Sequence, residues 1–205
     1  MEKWIIKNHE LTYDNETHSY YCDGKKCISV TQLIHFQFPD KYKDVDEVVL
    51  KNAAKKGNEL HNAIEVYEKY GLESEYLKEF RNYLFLKVKH NFIVVNNEIP
   101  IILPYKDIFI CGRLDLVLKE NNELGLGDIK RTSVLDKQYL AYQLNLYRLG
   151  YMFSYEKTPK FLKALHLRND VRKYLEIPIN EQFAFDLMEE FYERKIKDEF
   201  SSVDR

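Results

Sequence analysis

Two aspartates and a lysine occur in neighbouring segments that have the pattern of paired strands. The segments are joined by Asn121 and Asn122, which favour the two central positions of a tight hairpin turn. A turn centred there places Asp115 directly opposite Asp128, and strand alternation puts Lys130 on the same face as Asp128. Like charges opposite each other destabilise a sheet, so we expect a cation between the two carboxylates. Two carboxylates that hold a divalent metal beside an ammonium group are suited to hydrolysing a phosphodiester.

A histidine is predicted on a helix that precedes this hairpin. The i, i+4 spacing places Gly57, His61 and Glu65 on one face, and the missing side chain of Gly57 leaves room for a molecule to approach His61. Imidazole is a common ligand of divalent metals. Taken alone, a helical histidine is more often a capping or core residue, and Glu65 fits an exposed position equally well.

A second polar pair is predicted on a later helix that is apolar on nearly all sides. Gln143 and Tyr147 have i, i+4 spacing there, among several leucines. The apolar surroundings predict that this helix is buried. A buried amide needs a hydrogen-bonding partner, whereas the Tyr147 ring fits core packing whatever its hydroxyl does.

Composition and charge narrow the class of protein. The chain has 205 residues, of which 45% are hydrophobic and 31% charged, as in one soluble globular domain. The lack of a long apolar run or a signal-peptide core predicts a cytoplasmic protein without a membrane partner. A net charge of −2 argues against a protein that coats duplex DNA through a broad basic surface, although a nuclease cleft needs only local positive charge. The three cysteines are odd in number and lack metal-binding spacing, which argues against a disulfide framework.

The order of predicted elements indicates an α/β fold with a mixed sheet in one domain. The domain comprises an N-terminal β-hairpin region (1–30), a helical segment with the histidine (31–90) and an α/β core (91–205). The predicted elements are a hairpin over 11–21, a strand end and short helix over 28–34, helices over about 45–70 and 74–90, strands over 92–103, 109–119 and 123–132, a helix over about 136–155, strands over 161–167 and 174–178, and a helix over about 181–197.

Taken in order, these motifs resemble the RecB-type branch of the PD-(D/E)xK nucleases. Each motif is weak alone, but the ordered set at these spacings is fairly specific and covers about 29–151. The segment 28–34 is most similar to that of the small phage-like and mitochondrial genome maintenance exonucleases of the branch. The matching residues are Gly57, His61, Glu65, Glu98, Gly112-Arg113-Leu114-Asp115, Asp128-Ile129-Lys130 and Gln143 to Tyr147.

The resemblance implies a restriction-endonuclease-like core, with a mixed β-sheet flanked by helices, that binds Mg²⁺ or Mn²⁺. It implies that Lys130 orients the attacking water and stabilises charge on the phosphoryl group, supported by Gln143 and Tyr147. The implied metal ligands are His61, Asp115, Asp128 and the carbonyl of Ile129, with Glu98 at the edge of the site. The implied contacts to nucleic acid come from Ser29, Thr31, Arg113, Gln143 and Tyr147, although Ser29 and Thr31 are more often helix caps.

The expected activity is a metal-dependent deoxyribonuclease, an exonuclease on single-stranded DNA or DNA ends. Two alternatives stay open: a structure-selective endonuclease, and a nuclease-fold DNA-binding module that has lost catalysis. No cysteine follows Cys111, so we expect no iron–sulfur cluster of the kind that many relatives carry. By analogy, a role in phage recombination, DNA repair or processing would bring a recombinase, a helicase or a single-strand-binding protein as partner.

Overall fold

The chain folds into two β-sheets and five helices over the part that is described. A computed structural model describes residues 1–74 and 77–203, with side chains as far as residue 197. The helices are α1 (Val30–Gln37), α2 (Glu47–Tyr70), α3 (Lys78–His90), α4 (Lys137–Tyr155) and α5 (Glu181–Val203). The strands are β1 (Glu2–Ile6), β2 (His9–Asp14), β3 (Ser19–Cys22), β4 (Lys25–Lys26), β5 (Ile28–Ser29), β6 (Ile93–Tyr105), β7 (Ile108–Glu120), β8 (Glu123–Lys130), β9 (Phe161–Arg168) and β10 (Val171–Ile177).

The larger sheet is mixed and is built around β7. Strand β6 pairs antiparallel with almost the whole of β7. On the other edge of β7, β8 pairs antiparallel with its second half, and β5 pairs parallel with Ile110 and Cys111. Strands β9 and β10 continue the sheet beyond β8, with β8 and β9 parallel. The fold is therefore mixed α/β, as the sequence predicts at that level.

Helices cover both faces of this sheet. One apolar cluster joins α1, α4 and α5 to one face, and α4 contributes most of its length to it. A second cluster joins α2 and α3 to the opposite face through residues such as Leu60, Ile64 and Tyr83. The smaller sheet, in the order β1-β2-β3-β4, packs by a third cluster against β6 and β7. All three cysteines are free and buried in this third cluster.

Most predicted elements occur where expected, and the differences have local causes. The predicted turn at Asn121 and Asn122 is present, with φ angles of 46° and 70°. Helix α2 begins after Asp46, whose carboxylate accepts hydrogen bonds from the first-turn N–H groups. Strand β1 was not predicted, because it is joined to β2 by a tight turn in which a lysine, Lys7, has a φ of 52°. Helix α3 begins at Lys78, and positions 75 and 76 of the predicted helix lie outside the described residues.

Candidate metal centre

Three carboxylates occupy equivalent positions on three adjacent strands. The β6/β7 register pairs residues 97 and 99 with 116 and 114, so it places Glu98 opposite Asp115. The last pair of the β7/β8 ladder is Leu116 with Gly127, so Asp115 and Asp128 are the next residue of each strand beyond it. The structure therefore aligns Glu98, Asp115 and Asp128 across the sheet. Such a row of like charges destabilises a sheet unless cations lie near it.

The sheet is irregular at this row. The β7/β8 ladder of backbone hydrogen bonds ends at Leu116. Beyond that point a side chain links the two strands, because Oδ2 of Asp115 accepts a 2.7 Å hydrogen bond from the N–H of Ile129. Leu114 and Leu116 pack in clusters on opposite faces, although alternation would place them on one face, so β7 changes face at Asp115. Glu98 has a φ of 47°, which is rare for a side-chain-bearing residue within a strand.

His61 extends from α2 into this row of carboxylates. Its Nδ1 lies 3.4 Å from Oε1 of Glu98 and 3.7 Å from Oδ1 of Asp115. Its Nε2 lies 3.2 Å from the carbonyl oxygen of Ile129. Burial lowers the pKa of His61, but Asp115 and Glu98 outweigh burial and raise it to about 9. Both ring nitrogens thus carry protons at neutral pH, and the imidazolium is itself a cation among the carboxylates.

The buried Asp128 and the half-buried Lys130 form an ion pair beside this group. Nζ of Lys130 lies 2.5 Å from Oδ2 of Asp128, whose side chain is 2% exposed. Burial raises the pKa of Asp128 to about 6, in spite of the nearby ammonium. Burial opposes the charge on Lys130, but Asp128 and Asp115 outweigh it and raise the lysine pKa. Burial also raises the pKa of Asp115, against the effect of His61. The centre therefore holds carboxylates that are difficult to keep ionised without a cation.

The donor atoms gathered here fit a divalent metal. Ligand atoms of His61, Glu98 and Asp115 all lie within 4.8 Å of one another. The carbonyl oxygen of Ile129 adjoins them through its contact with His61. A set of carboxylate and carbonyl oxygens with one imidazole suits Mg²⁺ or Mn²⁺. Glu98 belongs to this group of possible ligands, although the sequence prediction put it at the edge of the site. Asp128, which was predicted to be a metal ligand, pairs with Lys130.

Helix α4 contributes a tyrosine and a glutamine near the centre. Tyr147 is buried, and its ring packs against Gly112 of β7. A Cβ at Gly112 would lie only 3.0 Å from the ring, so the absence of a side chain there permits the close contact. Burial first, and then Asp115, raise the pKa of Tyr147 well above its usual range, so its hydroxyl stays protonated. Gln143 is also buried, and its Oε1 has no hydrogen-bond partner among the residues that the structure describes. The proposed support of Lys130 by these two residues stays a prediction.

Four of the five residues predicted to contact nucleic acid, all except Gln143, line the same cavity. Ser29 is the N-cap of α1, where its hydroxyl and the Gln32 side chain form a capping box, so the capping role that the sequence also allowed is present. Ser29, Thr31 and Arg113 nevertheless line one cavity of about 230 Å³, which also reaches Tyr147.

Sequence reasoning missed the residues that the smaller sheet brings to this cavity. Tyr13 and Tyr20 form part of its lining, and Glu2 pairs with Arg113 at 2.6 Å. The hairpin pattern predicted the strands that carry the two tyrosines, but no local signal indicated what they face. On α2, Glu65 is half-buried and pairs with Lys69 at 2.5 Å.

Comparisons with known proteins give little information on identity. No protein-family model matches the chain, and no curated protein matches it. Among solved structures, a crystal structure of SSO0001 is similar with a TM-score of 0.47 and 18% sequence identity, over 80% of this chain and 73% of that one. None of the helices in the described part of the chain is long and apolar enough to span a membrane.

Proposed function

We propose that the chain is a divalent-metal-dependent deoxyribonuclease with a PD-(D/E)xK core, and that it acts as an exonuclease on single-stranded DNA or DNA ends. The observation that carries this proposal is the row of carboxylates on three adjacent strands, contacted by His61 and followed by the half-buried Lys130. A purely structural role does not explain why the fold keeps Glu98, Asp115 and Asp128 in one row at the cost of an irregular sheet.

The residues that would hold the metal are His61, Glu98, Asp115 and the carbonyl oxygen of Ile129. When bound, a divalent ion would activate water and neutralise charge on the phosphoryl oxygens. Because His61 is protonated at neutral pH, it must lose a proton before its imidazole can bind the ion.

Lys130 and its neighbours act on the phosphoryl group directly. The raised pKa of Lys130 keeps the ammonium charged, so it can hold a water molecule and stabilise negative charge that develops in the transition state. Asp128 fixes the position of that ammonium through the ion pair. The protonated hydroxyl of Tyr147 can donate a hydrogen bond to the substrate and cannot act as a base at neutral pH.

A cleavage assay on labelled single-stranded DNA tests the proposal. We expect degradation with Mn²⁺ or Mg²⁺ and none in excess EDTA. Asp115→Asn should abolish cleavage, whereas the matched change Asp186→Asn, at an exposed position on α5, should leave it intact. Full activity in EDTA would refute the metal centre. DNA binding without cleavage under every metal condition would instead favour the binding-module alternative.

A closed-circular single strand separates exonuclease from endonuclease action. The segment that carries Ser29 and Thr31 precedes the histidine helix as in the small exonucleases, and this similarity supports the exonuclease. An exonuclease should degrade a linear strand and spare the circle of the same sequence. Equal loss of both would favour the structure-selective endonuclease and would leave the metal-centre proposal standing.

A further inference from the structure

A second group of metal-ligating side chains lies in the smaller sheet and shares no residue with the candidate metal centre. Ligand atoms of His9, Cys22 and Asp23 all lie within 4.8 Å of one another. His9 begins β2, Cys22 ends β3, and Asp23 begins the turn that leads to β4. His9 and Asp23 are 14 positions apart, so the pairing of β2 with β3 brings these donors together.

A tight turn fixes the carboxylate of this group. Asp23 and Gly24 have φ angles of 51° and 76°, as in a two-residue hairpin turn. The N–H of Asp23 donates to the carbonyl oxygen of Glu10 at 2.9 Å, and Oδ1 of Asp23 accepts a 2.9 Å hydrogen bond from the N–H of Glu10. Its Oδ2 lies 2.7 Å from Nδ1 of His9. Hydrogen bonds from the backbone thus orient this carboxylate, as outer hydrogen bonds commonly orient a metal ligand.

Apolar neighbours hold the imidazole and the thiol. The ring of His9 packs edge-on against Phe109, with 5.1 Å between the ring centroids. Cys22 is fully buried in the apolar cluster that joins the smaller sheet to β6 and β7. Burial raises the pKa of the Cys22 thiol to about 12, so an ion that binds here must displace the thiol proton, as metal coordination does.

Cys27 offers a fourth donor on the other side of the turn. It follows β4 directly, and its thiol interacts electrostatically with Asp23 and with Cys22. The Cys27 thiol also donates a 3.6 Å hydrogen bond to the carbonyl oxygen of Lys25 within the turn. Two sulfurs, one imidazole and one carboxylate are together the number and types of ligand that a tetrahedral zinc ion uses.

These donors suit a different metal from the one that the candidate metal centre suits. Thiolate and imidazole ligands favour Zn²⁺, whereas carboxylate and carbonyl oxygens favour Mg²⁺ or Mn²⁺. Bond lengths of about 2.0–2.3 Å place the ligand atoms of a tetrahedral zinc ion about 3.3–3.8 Å apart. The 2.7 Å separation of His9 and Asp23 and the 4.8 Å limit of the group lie on either side of these values. Small side-chain movements would therefore admit the ion.

We propose that His9, Cys22, Asp23 and Cys27 bind a structural Zn²⁺ ion that fixes the turn between β3 and β4 and joins it to β2. This site is independent of the proposed nuclease function, because the two sets of ligands have no residue in common. The strands that it joins are only four to six residues long, apart from the two-residue β4, so a metal link should add to their stability.

Cobalt spectroscopy on the reduced, metal-free full chain tests this proposal. A thiolate ligand gives Co²⁺ a charge-transfer band that oxygen and nitrogen ligands do not give, and none of the proposed ligands of the candidate metal centre is a cysteine. The band should develop with one equivalent of Co²⁺, persist in excess Mg²⁺ and in Asp115→Asn, and disappear when Zn²⁺ displaces the cobalt. Zn²⁺ should also raise the melting temperature in excess Mg²⁺. Absence of the band, or a melting temperature that Zn²⁺ does not raise, would overturn the proposal.

Substitutions assign the ligands. His9→Gln should weaken Co²⁺ binding about tenfold or more, which is at least the loss found for residues that orient metal ligands. The matched change His18→Gln, in the exposed turn between β2 and β3, should leave it unchanged. Cys22→Ser should weaken the band, and Cys111→Ala should retain it. If His9 and Asp23 only hold the turn by their hydrogen bond, His9→Gln lowers the melting temperature without changing Co²⁺ affinity, and that result would refute the proposal even if Cys22→Ser fails to fold.

Discussion

Metal binding at the candidate centre should release a proton from His61, and its affinity should therefore depend steeply on pH. The carboxylates of Glu98 and Asp115, at 3.4 and 3.7 Å from Nδ1, raise the pKa of this histidine to about 9. At pH 7 only about one molecule in a hundred then has the neutral imidazole that a metal requires. The dissociation constant for Mn²⁺ should fall about tenfold for each unit of pH between 7 and 8.5, or about 1.4 kcal/mol per unit.

Calorimetry in buffers with different protonation enthalpies measures both parts of this prediction. Titration with Mn²⁺ near pH 7 should release about one proton per ion, and the affinity should rise with pH as stated. His61→Gln should weaken binding and remove the proton release. His35→Gln, at an exposed position on α1, is the matched control and should change neither quantity.

Two results would refute the reasoning at different steps. An affinity independent of pH, with no proton released, would mean that His61 does not bind the metal or is not protonated beforehand. Nitrogen-detected NMR of the imidazole in EDTA separates the two, because a histidine that titrates near pH 6.5 would contradict the effect of the two carboxylates. Glu98→Gln should lower the pKa of His61 in the same experiment, since it removes one of the charges that raise it.

Three further predictions concern His61, Lys130 and Gly57. In EDTA the chain should lose up to about 3 kcal/mol of stability as pH rises from 6.5 to 9. The folded chain holds the His61 proton more tightly than the unfolded chain does, so this proton stabilises the fold below pH 6.5, and the stabilisation disappears as pH rises through the folded pKa of about 9. Thermal melts should show the fall, and saturating Mn²⁺ should reverse it. Lys130→Ala should lower kcat about a hundredfold or more and change DNA affinity in Ca²⁺ far less. Gly57→Ala should raise stability by about 1 kcal/mol, because a Cβ there meets nothing within 4 Å, and should slow cleavage if DNA approaches that face of α2.

Each of these has an outcome that contradicts it. A melting temperature in EDTA that is constant or rises between pH 6.5 and 9 would mean that the carboxylates do not favour the imidazolium. Equal losses of rate and affinity in Lys130→Ala would make the lysine a phosphate anchor. A Gly57→Ala variant that is more stable and fully active would show that the substrate does not reach that face, and one that is less stable would contradict the open space beside it.

Local rules accounted for the parts of the site that lie close together in sequence. Asparagines at 121 and 122 fix the turn, and the turn fixes the β7/β8 register, which brings Asp115 and Asp128 to the end of the same ladder. Alternation alone placed Lys130 beside Asp128. The capping of α1 by Ser29 likewise follows from residues three positions apart.

The remaining parts depend on contacts between distant segments. The position of Glu98 depends on a register shift between Val94 and Asn96, which alternation along one strand cannot reveal. Glu2 and Arg113 are 111 positions apart, and nothing in either segment indicates the other. Whether Asp128 binds a metal or pairs with Lys130 depends on burial and on the neighbouring charges in the folded chain. Such features require the packed structure, because their energies come from tertiary surroundings.

The departures from regular structure converge on a single place in the larger sheet. Within a few residues of Asp115, the β7/β8 ladder ends, β7 changes face, and Glu98 adopts a positive φ. Each departure has a cost in stability, and buried carboxylates add to it. Elsewhere in β7 the apolar residues follow the pattern of an ordinary core strand. Departures from regular structure that are concentrated at one polar centre are expected where that centre has a function. That concentration of unfavourable features, more than any single distance, supports the proposal that the row of carboxylates binds a cation and a substrate.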